Sequence, residues 1–429
     1  MLKKGDKIKI QSGGEATILE ELGKGGQGIV YKVVFNHKEY ALKWYHLSGK
    51  QEFYNNLKRN VEKGTPSPYF LWPLFLTEKD DGGSYGYLMD LRDPVYKDFS
   101  DFLLAKVQFS SVNAMIDAAI NICVSFRKLH NAGYSYQDLN DGNFFINPNT
   151  GAVLICDNDN VAPEGTNTGI LGKCRYMAPE IICKKNLPNA QSDRFSLSVV
   201  LFLLFFNNHP LEGALVASCP CMTEKHEKLF YGTKPLFIYD TENTQNLPVP
   251  GIHVNVIRLW KQFPEYVRRV FEEQFGQQAL LDANRRITEK EWLEKILLRM
   301  RHELITCPKC GGEIFIDMEK DIQTCPDCGT RMNRPPIIQM DNYNVAICKD
   351  KRIFQYITDK NKIEFNTCTG VVVESKKTPG LFGLTNKTTD TWILTTKSGK
   401  IRSISPNEVV PLLIGNQISF GNGTNAIIR

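Results

Sequence analysis

The run Gly23-Lys24-Gly25-Gly26-Gln27-Gly28 lies between two stretches that alternate as strands, Thr17 to Leu22 and Gly28 to Phe35. A glycine-rich hairpin lets backbone N–H groups approach phosphate oxygens with no Cβ in the way. In a dinucleotide-binding fold the same spacing would open a helix, but Ile29 to Phe35 reads as a strand. Alone, the run is equally a plain turn. What constrains the fold is its continuation. Lys43 ends the next strand pattern, fifteen residues after Gly28. Asp138 and Asn143 stand five residues apart in a polar loop, and Asp157 closes a strand pattern fourteen residues later. A strand lysine under a glycine flap can pair with phosphates. Asn143 and Asp157 offer oxygen ligands to a hard cation, Mg²⁺ or Mn²⁺, that keeps substrate phosphates in its shell. Asp138 can orient and deprotonate an attacking hydroxyl.

In this order and spacing, residues 10–304 resemble a eukaryotic-type protein kinase domain. The resemblance implies ATP and Mg²⁺ as cofactors and a bilobal α+β fold. Gly23, Gly25 and Gly28 would form the phosphate flap, with Val30 and Ala41 against the nucleotide. Lys43 would pair with the α/β-phosphates and with a helix glutamate. Glu52 and Glu62 are the candidates, and Glu52 leaves the more usual run to the next strand. Met89 would be the gatekeeper, with backbone groups near Asp90 and Leu91 reaching adenine. Asp138 would be the catalytic base, with Asn140 in the place of the catalytic-loop lysine and Asn143 and Asp157 as Mg²⁺ ligands. Met177-Ala178-Pro179-Glu180 matches the end of the activation segment, Asp193 would anchor the catalytic loop, and Arg286 would pair with Glu180.

The departures bear on function. Tyr136-Gln137 replaces the His-Arg before the catalytic Asp, so a phosphorylated activation loop (Thr166 and Thr168 are its hydroxyls) loses its usual docking cation. Asn158-Asp159 replaces Phe-Gly and adds a negative charge near the metals. Asn140 brings no positive charge to the transferring phosphoryl group. Gly172-Lys173 stands where Gly-Thr is usual, which offers a lysine for that vacated role.

Cys307-Pro-Lys-Cys310-Gly and Cys325-Pro-Asp-Cys328-Gly, fourteen residues apart, can present four thiolates tetrahedrally to Zn²⁺. They resemble a zinc ribbon or rubredoxin-like knuckle. Four thiolates leave no open position, so the metal is expected to be structural. The acidic stretch Glu313 to Asp321 between the pairs argues against nucleic acid. Cys219, Cys221 and His226 imitate a second site but lack a fourth ligand.

After Arg334-Pro335-Pro336 the chain returns to strand patterns: Val371 to Glu374, Thr391 to Thr396, Ile401 to Ile404 and Gln417 to Phe420. Gly383-Leu384-Thr385-Asn386 and Val409 to Gly421 are similar to the second half of a forkhead-associated β-sandwich, without the Gly-Arg and Ser-x-x-His elements that read phosphothreonine. The whole chain has 52 Lys and Arg against 47 Asp and Glu, and the excess of five falls within 337–429.

The sequence thus predicts four parts: a β-rich N-lobe over 1–92, a helical C-lobe over 93–304, a Cys₄ zinc ribbon over 305–334 and a small all-β sandwich-like domain over 337–429. The expected activity is ATP- and Mg-dependent transfer of the γ-phosphoryl group to protein hydroxyls, Ser or Thr by preference. An ATP-binding scaffold without turnover and a small-molecule kinase are the alternatives. No apolar run follows the N-terminal lysines, and Phe195 to Phe206 is too short to span a bilayer, so a cytoplasmic protein is expected. The arrangement resembles bacterial eukaryotic-like kinases. That resemblance implies protein substrates, and with them a von Willebrand A-type protein and a PP2C-type phosphatase as partners.

Overall fold

A computed structural model of the chain describes residues 2–46, 51–166, 172–421 and 423–429; Thr168 lies outside them. The chain divides into two compact units, Met1–Lys261 with Glu265–Leu293, and Gln262–Pro264 with Glu294–Arg429.

The first unit opens with a six-stranded antiparallel sheet, ordered β1 (Lys7–Lys9), β2 (Glu15–Lys24), β3 (Gly28–Phe35), β4 (Lys38–Tyr45), β6 (Gly86–Asp90), β5 (Phe75–Leu76). The β3–β4 turn falls at Asn36 and His37, with φ of 47° and 63°. Left-handed backbone at both central residues suits the right-handed twist of the flanking strands. Side chains alternate across the sheet. Tyr31, Val33, Tyr40, Leu42, Trp44 and Leu88 bury one face. Ala41, Tyr45, Tyr87 and Met89 bury the other, under Phe53 and Leu57 of the helix α1 (Gln51–Lys63).

In the apolar run from Phe70 to Thr77 only Phe75–Leu76 forms a strand. Pro73 has no N–H for a ladder and breaks the run. Phe70 instead bridges Ile155, whose carbonyl accepts from the Leu71 N–H at 2.8 Å. This ties the sheet-side segment to the strand Val153–Ile155 that leads to Asp157.

Helices dominate the regular structure in the rest of this unit. Val112–Asn131 is capped by the Ser111 hydroxyl, and Ala190–Phe206 by a reciprocal Asn189–Ser192 capping box. The second helix is apolar nearly all round and buried along its length, as a central helix must be. Among the described residues, no helix is long and apolar enough to cross a membrane.

In the second unit, two short hairpins (Leu304–Thr306 with Glu313–Phe315, and Ile322–Thr324 with Arg331–Asn333) carry the cysteine pairs. A six-stranded and a four-stranded antiparallel sheet follow. Trp392 of the six-stranded sheet packs on Phe420 and lies 3.3 Å from where a Cβ on Gly370 of the four-stranded sheet would be. Residues 294–304 belong to the second unit. The cause is local: the Arg301 guanidinium donates to the Phe365 carbonyl at 2.9 Å, His302 meets the Tyr356 hydroxyl at 2.7 Å, and the buried Lys351 ammonium caps the Arg301 carbonyl at 2.7 Å.

Candidate active site

The flap is the β2–β3 hairpin, closed by Gly25 N–H to the Gly28 carbonyl at 2.9 Å. A Cβ at Gly28 would stand 2.2 Å from the Trp44 carbonyl oxygen, so β3 can run this close to β4 only with glycine there. Gln27 turns its side-chain oxygen to the Lys43 ammonium at 3.1 Å.

Sheet register sets the next group. Val30 pairs with Lys43, Ala41 with Met89 and Lys43 with Tyr87. Val30, Ala41, Met89 and Leu91 therefore line one apolar surface, with Phe145, Leu154 and Cys156 joining it from below. Asp90, next to Met89, points outward to Lys38 at 2.8 Å.

Lys43 is 5% exposed. Its ammonium lies 2.8 Å from Asp159 Oδ2 and 3.3 Å from Asp157 Oδ1. Burial works against the charge, but Asp159 and then Asp157 outweigh it and hold Lys43 above its ordinary value. The expected helix glutamate does not hold this lysine. Glu52 and Glu62 both lie on the exposed side of α1. The inward face instead presents Asn56 and Asn60, which donate to the Val161 carbonyl at 2.7 and 2.8 Å. The acidic partner has moved to the segment after Asp157.

Asp157 takes a left-handed conformation (φ 55°) and starts the turn Asn158–Asn160. Asn158 fixes that turn by donating to the Leu71 and Ile155 carbonyls, both at 2.8 Å. The turn aims Asp159 at Lys43, and the Tyr45 hydroxyl donates to the same Asp159 oxygen at 2.6 Å. Sequence reasoning noticed Asp159 as extra charge but assigned it no partner. The signal available was Tyr45, two residues beyond Lys43 on the same face of β4.

The loop that carries Asp138 to Asn143 is held from beneath by Asp193, which accepts the Tyr136 N–H at 2.6 Å and the Gln137 N–H at 3.3 Å. His130 bridges Asp193 and Glu289 at 3.1 and 2.9 Å. Within the loop, the Asn140 amide donates to Asp138 Oδ1 at 3.1 Å while its oxygen accepts the Gly142 N–H at 3.0 Å. The Asn143 amide donates to the Asp138 carbonyl at 2.7 Å, and the Cys156 N–H donates to the Asn143 carbonyl at 2.9 Å. Asn143 and the residue before Asp157 are thus in direct contact. The Asn143 carboxamide and the Asp157 carboxylate make an oxygen donor set suited to Mg²⁺. Burial pushes the Asp138 carboxyl up and Asp157 adds to the rise, while Asn140 and Lys173 oppose it.

Lys173 is close by. Its ammonium pairs with Asp141 at 3.1 Å and lies 3.8 Å from where a Cβ on Gly142 would be. A Cβ on the neighbouring Gly172 would come 3.2 Å from Asp138 Oδ1. Gln137, in the place of the docking arginine, donates to the Thr166 carbonyl at 2.7 Å. Arg286 and Glu180 form a bidentate pair, both contacts at 2.7 Å.

In the second unit, the sulfurs of Cys307, Cys310, Cys325 and Cys328 all lie within 4.8 Å of one another. Cys307 to Cys328 is 3.8 Å and Cys310 to Cys325 is 3.7 Å. A tetrahedron with Zn–S bonds of about 2.3 Å has edges of about 3.8 Å, so the cluster fits zinc. Gly311 and Gly329 take φ of 74° and 68° in the two knuckle turns. The N–H groups of Cys310 and Lys309 point at the Cys307 sulfur and lower its thiol pKa. Cys219 and Cys221 of the first unit are not members of this cluster; His226 contacts the Cys221 carbonyl at 3.0 Å.

Residues 88–246 match the family model described as protein kinase domain. The chain is 24% identical, over an alignment of 344 residues covering 72% of its length, to a protein named protein kinase YegI from Escherichia coli (strain K12), of which 50% is covered. It is 25% identical over 216 residues, 47% of its length, to a protein named serine/threonine-protein kinase MPS1 from Encephalitozoon cuniculi, of which 35% is covered. The chain spans about half the length, or less, of these curated relatives. The matches support an enzyme of the protein kinase class.

Proposed function

We propose that this chain transfers the γ-phosphoryl group of Mg-ATP to protein hydroxyls, Ser or Thr by preference. The observation that carries the reading is the convergence of Lys43, Asp138, Asn143 and Asp157 beneath one glycine hairpin. The apolar surface of Val30, Ala41, Met89, Leu91, Phe145 and Leu154 would take the adenine, with backbone groups at Asp90 and Leu91 fixing its edge. Asn143 and Asp157 would hold Mg²⁺, which supplies charge neutralisation on the phosphates. Asp138 orients the acceptor hydroxyl and takes its proton. There is little covalent chemistry beyond that, because phosphoryl transfer is governed by positioning and charge. Lys173 brings to the transferring group the cation that Asn140 lacks.

The four cysteines hold a structural Zn²⁺, and the C-terminal sheets form a docking sandwich, with a forkhead-associated relation as its best family likeness. Its partners would be phosphorylated or unphosphorylated proteins of the same system, including a von Willebrand A-type protein and a PP2C-type phosphatase. The working compartment is the cytoplasm.

The test is phosphoamino-acid analysis of a generic protein acceptor after incubation with the full chain and labelled Mg-ATP. Phosphoserine or phosphothreonine, absent with Asp157→Ala, is the expected result. Bound ATP with no label on any acceptor would overturn the reading in favour of a scaffold.

A further inference from the structure

The described residues of α1 give Lys43 no acidic partner; its acids are Asp159 and Asp157. Asp159 is fully buried. One of its carboxylate oxygens takes both the Lys43 ammonium at 2.8 Å and the Tyr45 hydroxyl at 2.6 Å. Its other oxygen, Oδ1, is buried with no hydrogen-bond partner among the described residues. Burying a carboxylate with an oxygen left bare is strongly unfavourable unless its charge is paired, so the Lys43 contact is what makes this acid tolerable there. The turn that carries Asp159 is itself fixed at both ends, by Asn158 on the Leu71 and Ile155 carbonyls and by Asn56 and Asn60 on the Val161 carbonyl.

Resting on the kinase reading above, we propose that Asp159 is the positioning residue for Lys43, taking the role the sequence gave to Glu52. The phosphate-binding lysine is then oriented by the segment that also carries the metal-ligand candidate Asp157. α1 contributes by clamping that segment through two amides, and the lysine's orientation does not depend on an acid delivered by the helix. Asp159 also draws Lys43 away from Asp157, which stands at 3.3 Å. Without Asp159, the ammonium would settle on Asp157 and compete with Mg²⁺ for it.

The experiment uses the full chain and compares Asp159→Asn, Glu52→Gln and Glu62→Gln, alone and in a Lys43→Met background. Mg-ATP affinity by calorimetry and turnover are measured in parallel. Asp159→Asn is expected to lower kcat roughly 10–100-fold, the scale on which groups acting through a ligating residue operate, and to weaken Mg-ATP binding. Both glutamate variants stay within about twofold on both readouts, the scale of an exposed substitution. In the Lys43→Met background, Asp159→Asn changes Mg-ATP affinity no further, because a residue that acts through Lys43 has nothing left to orient. Tyr45→Phe removes a donor to the same oxygen without emptying the core; it gives about a two- to tenfold loss that also vanishes with Lys43→Met. It decides the matter if Asp159→Asn does not fold. A neutral Asp159→Asn or Tyr45→Phe, an effect that persists in Lys43→Met, or a tenfold loss from Glu52→Gln would overturn the proposal. A wild-type chain that shows this binding pattern but transfers no phosphate would overturn the kinase reading alone.

Discussion

The Lys43 ammonium lies 2.8 Å from Asp159, an acid two residues beyond the candidate metal ligand Asp157. The pair joins β4 to the loop below it, so the groups that would handle phosphate and metal form one connected set. Gln27 extends the set to the flap, and Tyr45 closes it from the sheet.

Lys173 is expected to act on the transferring phosphoryl group. Lys173→Met should lower kcat roughly 100- to 1,000-fold, the scale of losing one transition-state stabiliser, with little change in the KM for ATP. Asn140→Lys in that background should recover part of the loss, since it returns a cation to the loop beside Asp138. Steady-state kinetics check both. An unchanged kcat in Lys173→Met would show that its contact with Asp141 is only a surface ion pair.

Arg286 and Glu180 should matter for stability. The Arg286 side chain is fully buried and both hydrogen bonds are 2.7 Å. Glu180→Gln leaves the guanidinium uncompensated and should cost about 3–5 kcal/mol, read as a lowered melting temperature. Arg286→Lys should cost nearly as much, because an ammonium cannot make the fork.

His130 predicts a pH dependence. Burial alone would depress it, but Asp193 and Glu289 raise it from 6.5 to about 9. A raised folded value means that its stabilisation is fully present below the unfolded value of 6.5 and is lost as pH rises through about 9. The difference is worth on the order of 3 kcal/mol. Thermal melts from pH 6 to pH 10 should show this decline, and His130→Gln should flatten it while lowering stability at neutral pH.

Much of this was readable in advance because local rules and the fold agree. α1 buries Phe53, Asn56, Leu57 and Asn60 at helical spacing, and the two strands around the flap follow their alternation. The four cysteines meet because each knuckle turn is a local structure. What was not readable depends on long-range choice. Glu52 and Asp159 are both acids that this chain can bring to Lys43, and the rotation of α1 decides between them. That rotation is set by Phe53, Leu57, Asn56 and Asn60 facing inward, which turns both glutamates out. The apolar run from Phe70 to Thr77 shows the opposite case, where one local residue, Pro73, keeps most of a strand-like pattern out of the sheet.

Zinc removal should separate the two units. The intact chain should carry one Zn²⁺ by elemental analysis, and Cys310→Ser should lose it. A strong chelator should lower the melting transition of the second unit, since structural zinc contributes its binding energy to folding. Mg-ATP binding by the first unit should survive. A metal-free chain with an unchanged melt would contradict the zinc assignment.

The most direct measurement is intact-mass spectrometry of the full chain, with a mixed protein acceptor, after incubation with Mg-ATP. Asp138→Asn is run alongside, verified as folded by its melting temperature. The account predicts phosphate-sized mass increments on the chain or the acceptor with wild type, and none with Asp138→Asn. Wild-type protein that binds Mg-ATP but adds no phosphate to either, or equal increments with Asp138→Asn, would contradict it.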